Sequence, residues 1–264
     1  MKNKIAVIIV GHGSSDPAGN MEFEAVAAGY RKMRPEWEIT TGYIEHEAPD
    51  VYTAVSNAAK RANTVIVAPL LLFKAGHARH DIPEYVERAM KEYPDVTFHL
   101  GEPLGTSPHM AKAMMERMDG KFFEDAKEDT MLLAIGRGSN NSDANSDFFK
   151  MARLIGDLLG LRWTIPCFIG VTGPSLDEAL DLVLKARPKR LAVAPYFLFS
   201  GKLVDRISNK IKTFSEANPD IMVSLGIRLG SHSGVLKTLD ERILQALNNV
   251  AHSIHGVGIK NNNA

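Results

Sequence analysis

Cysteine is almost absent from this chain: among 264 residues, Cys167 stands alone. One thiol cannot form an intrachain disulfide, a CxxC redox pair or a cysteine-ligated iron–sulfur cluster, so no iron–sulfur cluster is expected and a reducing, cytoplasmic setting fits. A charge excess of either sign is lacking too, because thirty-one Lys and Arg balance thirty-one Asp and Glu for a formal net charge of zero. No global field draws the protein to nucleic acid or to an anionic membrane, and any anionic ligand must be held by a local patch. Long hydrophobic runs are missing as well. The longest, from Val65 to Phe73, falls well short of the ~20 residues that span a bilayer. The apolar start from Ala6 to Val10 leads into Gly-His-Gly-Ser-Ser rather than a small-residue cleavage site. Neither a membrane span nor a signal peptide is expected.

What is present is an ordinary globular composition, 45% hydrophobic and 23% charged, which excludes disorder, collagen and coiled coil. Within it lies a long internal repeat. The segment YPDVTFHLGEPLG from Tyr93 returns as NPDIMVSLGIRLG from Asn218, identical at six of thirteen positions and displaced by 125 residues. The same displacement lays Gly11-His12-Gly13-Ser14 on Gly136-Arg137-Gly138-Ser139, Pro49 on Pro174, and Glu116-Arg117 on Glu241-Arg242. With a one-residue slip, APLLLF from Ala68 falls on APYFLF from Ala194. Such a period is too long for a solenoid unit. The chain therefore divides into an N-terminal lobe over 1–122, a C-terminal lobe over 128–250 and a flexible tail over 251–264, with the charged stretch near Asp119–Asp129 as a solvated linker.

Each lobe alternates β-rich runs with amphipathic stretches. Strands are predicted at Ile5–Val10, Glu38–Ile44, Thr64–Pro69 and Val96–Leu100, and again at Met131–Ile135, Trp163–Ile169, Arg190–Pro195 and Ile221–Leu225. Helical patterns fall near Met21–Met33, Val51–Ala62, Ile82–Glu92 and Pro108–Met118. Near-continuous Val/Ile runs alternating with helices predict an α/β fold of two tandem doubly wound lobes, each with about four parallel strands covered on both faces. Pro69 and Pro195 should fray the ladder, since proline donates no hydrogen bond there.

Open α/β sheets bind ligands beyond the carboxyl ends of their strands. In the first lobe three polar groups of residues lie there: Gly11-His12-Gly13-Ser14-Ser15, Glu45-His46-Glu47, and Gly76-His77-Ala78-Arg79-His80-Asp81. Histidines and a carboxylate converging at one sheet edge suit a divalent ion such as Zn, Fe, Co or Ni. A turn or a phosphate-cradling loop remains an alternative for GHGS, whose spacing matches neither GxGxxG nor the Walker A pattern. The second lobe keeps the scaffold residues but carries Arg137 for His12, Gly170 for Glu45 and Lys202 for His77, so all three candidate ligands change together. That joint change favours the metal reading.

GHGSS, YIEHEAP and APLLLFKAGHARHDIP, with GRGS, PCF and APYFLFSG in the second copy, resemble the class II chelatases, specifically the long, two-lobed sirohydrochlorin chelatases of the SirB and CbiX type. The resemblance covers nearly all of residues 1–250. It implies an ATP-independent lyase-class chelatase that inserts Co²⁺ or Fe²⁺, with Ni²⁺ a further candidate, into sirohydrochlorin from a cleft between the lobes, for cobalamin or sirohaem synthesis. It further implies that His12 and His77 are the catalytic, metal-holding histidines and Glu45 the accompanying acid. The macrocycle is apolar within and carboxylated at its rim. Leu70–Phe73 and Tyr196–Phe199 are then candidate walls, and Arg79, Arg137 and Lys202 candidate partners for its carboxylates. The expected assembly is a monomer with two lobes, without nucleic-acid or membrane partners. The alternative is a non-catalytic carrier of a metal or tetrapyrrole between the lobes.

Overall fold

The computed structural model describes residues 4–76, 80–124 and 127–248. In the first half, β1 (Ile5–Gly11) is buried beyond its first residue and lies parallel to β2 (Glu38–Tyr43) and to β3 (Thr64–Pro69). β4 (Thr97–Leu100) pairs with the far side of β3, giving the order β2-β1-β3-β4. The second half repeats this with β5 (Thr130–Gly136), β6 (Trp163–Phe168), β7 (Arg190–Pro195) and β8 (Met222–Leu225), in the order β6-β5-β7-β8. Both sheets are wholly parallel, as strands with apolar residues on both faces require. Pro69 closes β3 opposite Val10, two residues beyond the last β3–β4 pair, Val67 with Leu100, so its missing N–H falls where β4 has ended.

The helices of the first half are α1 (Pro17–Met33), α2 (Val51–Ala59), α3 (Asp81–Glu92) and α4 (Pro108–Glu116). Those of the second are α5 (Ser142–Leu159), α6 (Leu176–Ala186), α7 (Lys202–Ala217) and α8 (Ser233–Asn248). α1 begins a turn before its apolar pattern does, because Asp16 accepts from the Ala18 N–H and Pro17 occupies the first turn. Such a cap is worth about 1 kcal/mol. Ser175 and Glu178 form a reciprocal capping box at α6.

These elements stack in five layers. α2 and α3 cover the outer face of the first sheet, through a core that includes Ile8, Val55, Val67 and Val86. α6 and α7 cover the outer face of the second, around Leu133, Val183, Val193 and Ile207. Between the sheets lie α1, α4, α5 and α8, which share one continuous core from Val7 and Tyr30 through Met110 and Met114 to Phe148 and Leu239. Within this middle layer the last helix of each half crosses over. α8 packs on β3 and β4 of the first sheet, while α4 packs against α5 of the second half. The Ile227 N–H donates to Arg117 O, and a Cβ on Gly226 would lie 2.5 Å from Met118 Sδ.

The stretch joining the halves is not uniformly solvated. A short 3₁₀ turn at Gly120–Phe123 buries Phe122 and Phe123, at 8% and 5% exposure, in the middle core. Two aromatic anchors in a charged segment outweigh its polarity. Among the described residues no helix is long and apolar enough to cross a membrane.

Candidate functional site

The first sheet delivers two of the three expected side chains to one place. Beyond the strand ends, the Ile44 N–H donates to Gly11 O and the Glu45 N–H to His12 O, each at 3.0 Å, so the β1–β2 ladder continues into the two loops. Gly13 makes this approach possible. It has φ +84°, and a Cβ there would stand 1.7 Å from Glu45 O. Ser14 braces the loop rather than standing out as a nucleophile, since its Oγ accepts from the Asp16 N–H and its carbonyl from Asn20 Nδ2.

The result is a histidine beside a carboxylate. His12 Nδ1 lies 3.2 Å from Glu45 Oε1 and 3.1 Å from Gly13 O. Two acceptors facing one ring nitrogen place the proton of the neutral imidazole on Nδ1, which makes Nε2 its basic nitrogen. A carboxylate behind a ligating histidine is the usual means of fixing tautomer and ring orientation. His46, on which the sequence reading placed no role, completes the group: its Nε2 is 3.5 Å from the same Glu45 Oε1, and its backbone has φ +67°. That left-handed conformation is costly for a residue with a Cβ and is concentrated at functional loops. The only sequence signal for His46 is its place between Glu45 and Glu47.

His77 and Arg79 lie outside the described residues. Among the described residues no group of three His, Cys, Asp or Glu side chains is arranged to hold a metal ion. Cys167 is not a further candidate, because burial in the second sheet pushes its thiol up to about 12.

The equivalent edge of the second sheet is cationic. Arg137 is exposed on the loop after β5. Gly170, in the place of Glu45, has a steric reason to be glycine: a Cβ would stand 2.3 Å from Arg137 O. Lys202 is the exposed first residue of α7 and lines a depression of about 630 Å³ between α6 and α7, together with Arg206, one turn further on, and the carboxylates of Asp177 and Asp205. Arg206, which sequence reading did not single out, donates to Ile169 O beside Gly170. Arg137 is not among the residues lining that depression.

The segments expected as open apolar walls are part core and part half-buried, with Leu71, Leu72, Phe73, Phe197 and Phe199 keeping some exposure. Leu70, Tyr196 and Leu198 are buried between the sheets, and the Phe73 ring sits 5.9 Å from that of Tyr196. They leave the strands at the inner face, where the two lobes meet. There the second lobe meets the start of α1 beside the histidine loop: a Cβ on Gly19 would be 3.2 Å from Ser200 O of the second lobe and 3.5 Å from Ser14 Cβ of the loop.

Comparison with known proteins agrees with this arrangement. The family model described as CbiX matches twice, over residues 6–121 and 131–246. The sirohydrochlorin cobaltochelatase of Priestia megaterium is 33% identical over 249 residues, covering 92% of this chain and 80% of that protein. The sirohydrochlorin ferrochelatase of Bacillus subtilis (strain 168) is 32% identical over 234 residues, covering 87% of each. Among solved structures, SirB from Bacillus subtilis with Fe³⁺ superposes with a TM-score of 0.85 at 29% identity, over 95% of this chain and 98% of that one.

Proposed function

The chain belongs to the CbiX family, and from that premise we propose how its residues carry out metal insertion into sirohydrochlorin. It is a sirohydrochlorin chelatase whose metal substrate is Co²⁺ or Fe²⁺. Insertion needs a partly dehydrated ion presented to one face of the macrocycle and acceptors for the protons on its inner nitrogens. His12 supplies a ligand and takes one of the two protons, the other passing to water. Its Nε2 is a nitrogen ligand while neutral and a proton acceptor once the ion has moved on. Glu45 holds the ring in that tautomer through Nδ1 and stabilises the imidazolium that proton transfer creates. His77 is the second histidine of the site. A small set of protein ligands leaves the ion able to depart, unlike a closed four-ligand cage.

The second lobe receives the macrocycle rather than the metal. Arg137 and Lys202 carry positive charge where the first lobe has His12 and His77, which repels a divalent ion and suits rim carboxylates; Arg79 serves the same rim. The reaction proceeds without ATP or an iron–sulfur cluster, with Ni²⁺ as a further substrate, in a cytoplasmic monomer built from an N-terminal lobe over 1–122 and a C-terminal lobe over 128–250. The observation that carries this reading is the His12–Glu45 pair at 3.2 Å on one sheet edge, with the cations Arg137 and Lys202 at the repeat-equivalent positions of the second lobe. The test is the absorbance change of sirohydrochlorin metallation with Co²⁺, Fe²⁺ and Ni²⁺ in parallel. Turnover above the spontaneous rate is expected. Binding of tetrapyrrole and metal without acceleration would mark a carrier instead.

A further inference from the structure

The lobes of this chain are joined on both sides of their seam by matching apolar contacts, but among the described residues the carboxylate clasp at Glu22 has no counterpart at Asp147. On the side of the histidine loop, Phe23 of α1 meets Phe199 edge-on at 6.1 Å; on the other side the equivalent pair, Phe148 and Phe73, meets edge-on at 6.4 Å. Beside Phe23, however, stands Glu22. Its carboxylate accepts from Arg228 through Nε, at 2.9 Å to Oε2, and through Nη2 to Oε1. It also accepts from the Ser200 backbone N–H at 2.9 Å. One side chain of the first lobe thus grips two loops of the second, and those loops already pair with each other through Leu229 N–H to Phe197 O and Gly230 N–H to Leu198 O.

The equivalent positions on the far side cannot make this clasp. Glu22 corresponds to Asp147, one methylene shorter, and Arg228 to Pro103, which has no side-chain donor. Gly19, whose missing Cβ lets Ser200 O approach, corresponds to Ala144. At that point the seam opens into a cavity of about 320 Å³ lined by Pro103, Asp147 and Lys74. The clasp is therefore a departure from the repeat, and it lies on the side that carries His12. Hydrogen bonding to Arg228 holds the Glu22 carboxyl below its ordinary value against the opposing effect of burial, so the pair is charged across the neutral range.

We propose that Glu22 is a positioning residue for metal insertion: by fixing the Ser200–Gly201 bend against α1, it sets where Lys202 of one lobe stands relative to the His12 loop of the other. This rests on the chelatase reading given above. Metal and macrocycle are held by different lobes, and a misplacement of about 1 Å between reacting partners can reduce a rate by on the order of 100-fold. A bidentate pair tied to a backbone N–H is a rigid way to limit that error.

The test is sirohydrochlorin metallation by Glu22→Gln, Arg228→Gln and the double variant, with Co²⁺ binding to each protein measured without macrocycle. About a tenfold fall in kcat/KM is expected in each single variant, with Co²⁺ affinity and melting temperature near those of the wild type. The double variant should be no worse than either single one, since both changes open one clasp. Unchanged kcat/KM in both single variants, alongside an active wild type, overturns the proposal. So does additive loss in the double variant, or a loss of Co²⁺ affinity in proportion to the loss of rate, which would mark general damage to the His12 loop. An inactive wild type would instead overturn the chelatase reading. If Glu22→Gln does not fold, Arg228→Gln alone decides.

Discussion

Arg117 and Arg242, 125 positions apart in the repeat, make the same bond in opposite directions. Arg117 Nη2 donates to Leu229 O and Arg242 Nη2 to Leu104 O, both at 2.8 Å. Each arginine sits at or near the last helix of its own half and caps a loop of the other. Reciprocal bonds of this kind, with the exchanged helices α4 and α8 between the sheets, predict that the lobes unfold as one unit. Arg242→Ala removes donors from Leu104 O and Pro103 O and should cost about 1–3 kcal/mol. Urea unfolding followed by far-UV dichroism and by tryptophan emission checks this. A single coincident transition shifted to lower urea is expected, and two separated transitions would show that the lobes unfold independently.

His12→Ala should reduce the metallation rate by on the order of 100-fold or more, the usual scale for removing a group that transfers protons. The thermal midpoint should barely move, because His12 is only half-buried beyond the end of β1. Glu45→Gln keeps the shape but lets the amide present a donor to Nδ1, disturbing the tautomer, and should reduce the rate by roughly 10–100-fold. Stopped-flow absorbance with Co²⁺ distinguishes these from a wild-type rate in either variant, which would remove that residue from the mechanism.

Arg137→Ala and Lys202→Ala should chiefly raise KM for sirohydrochlorin and leave kcat much less affected, as expected when binding is lost equally from ground and transition states. The effect should shrink as salt rises, since exposed charges are screened within about 10 Å at 0.1 M ionic strength. Steady-state kinetics at two salt concentrations measure both. Abolished kcat at saturating substrate would place these cations in the chemistry instead.

The acid limb of stability should depend on Asp240. Burial pushes its carboxyl upward, but hydrogen bonds from Arg34, at 2.7 Å to each oxygen, and from Tyr30 at 2.9 Å outweigh this and lower it. A lowered folded-state value means that, below the unfolded value of about 3.9, the unfolded chain binds a proton the native chain does not. Stability from this contact is thus fully present above that value and is lost as pH falls through the lower, native one. Denaturant titrations across the acid range should show a steeper decline for the wild type than for Asp240→Asn, and equal slopes would exclude this linkage.

The repeat, the eight strands and the class of fold follow from the sequence, because period, Val/Ile density and punctuation by Gly and Pro act over a few residues and leave the chain little choice locally. The approach of the His12 loop to the Glu45-His46-Glu47 run was legible for the same reason: each lies just beyond a strand, and in parallel sheets strand ends are brought together; Glu45 was singled out within that run by the family resemblance. The part taken by His46 was not legible, since its approach to Glu45 depends on a left-handed bend that no pattern announces. Gly170 reads as a lost ligand in the sequence, whereas the structure shows that the Arg137 carbonyl leaves no room for a Cβ there. The exchange of α4 and α8 belongs wholly to the tertiary structure. The two halves present near-equivalent apolar faces, so either sheet could accept either helix, and only the packing of the middle layer decides. The same holds for Glu22 and Arg228: 206 residues apart, they became partners because the lobes close on one side of the seam and not on the other.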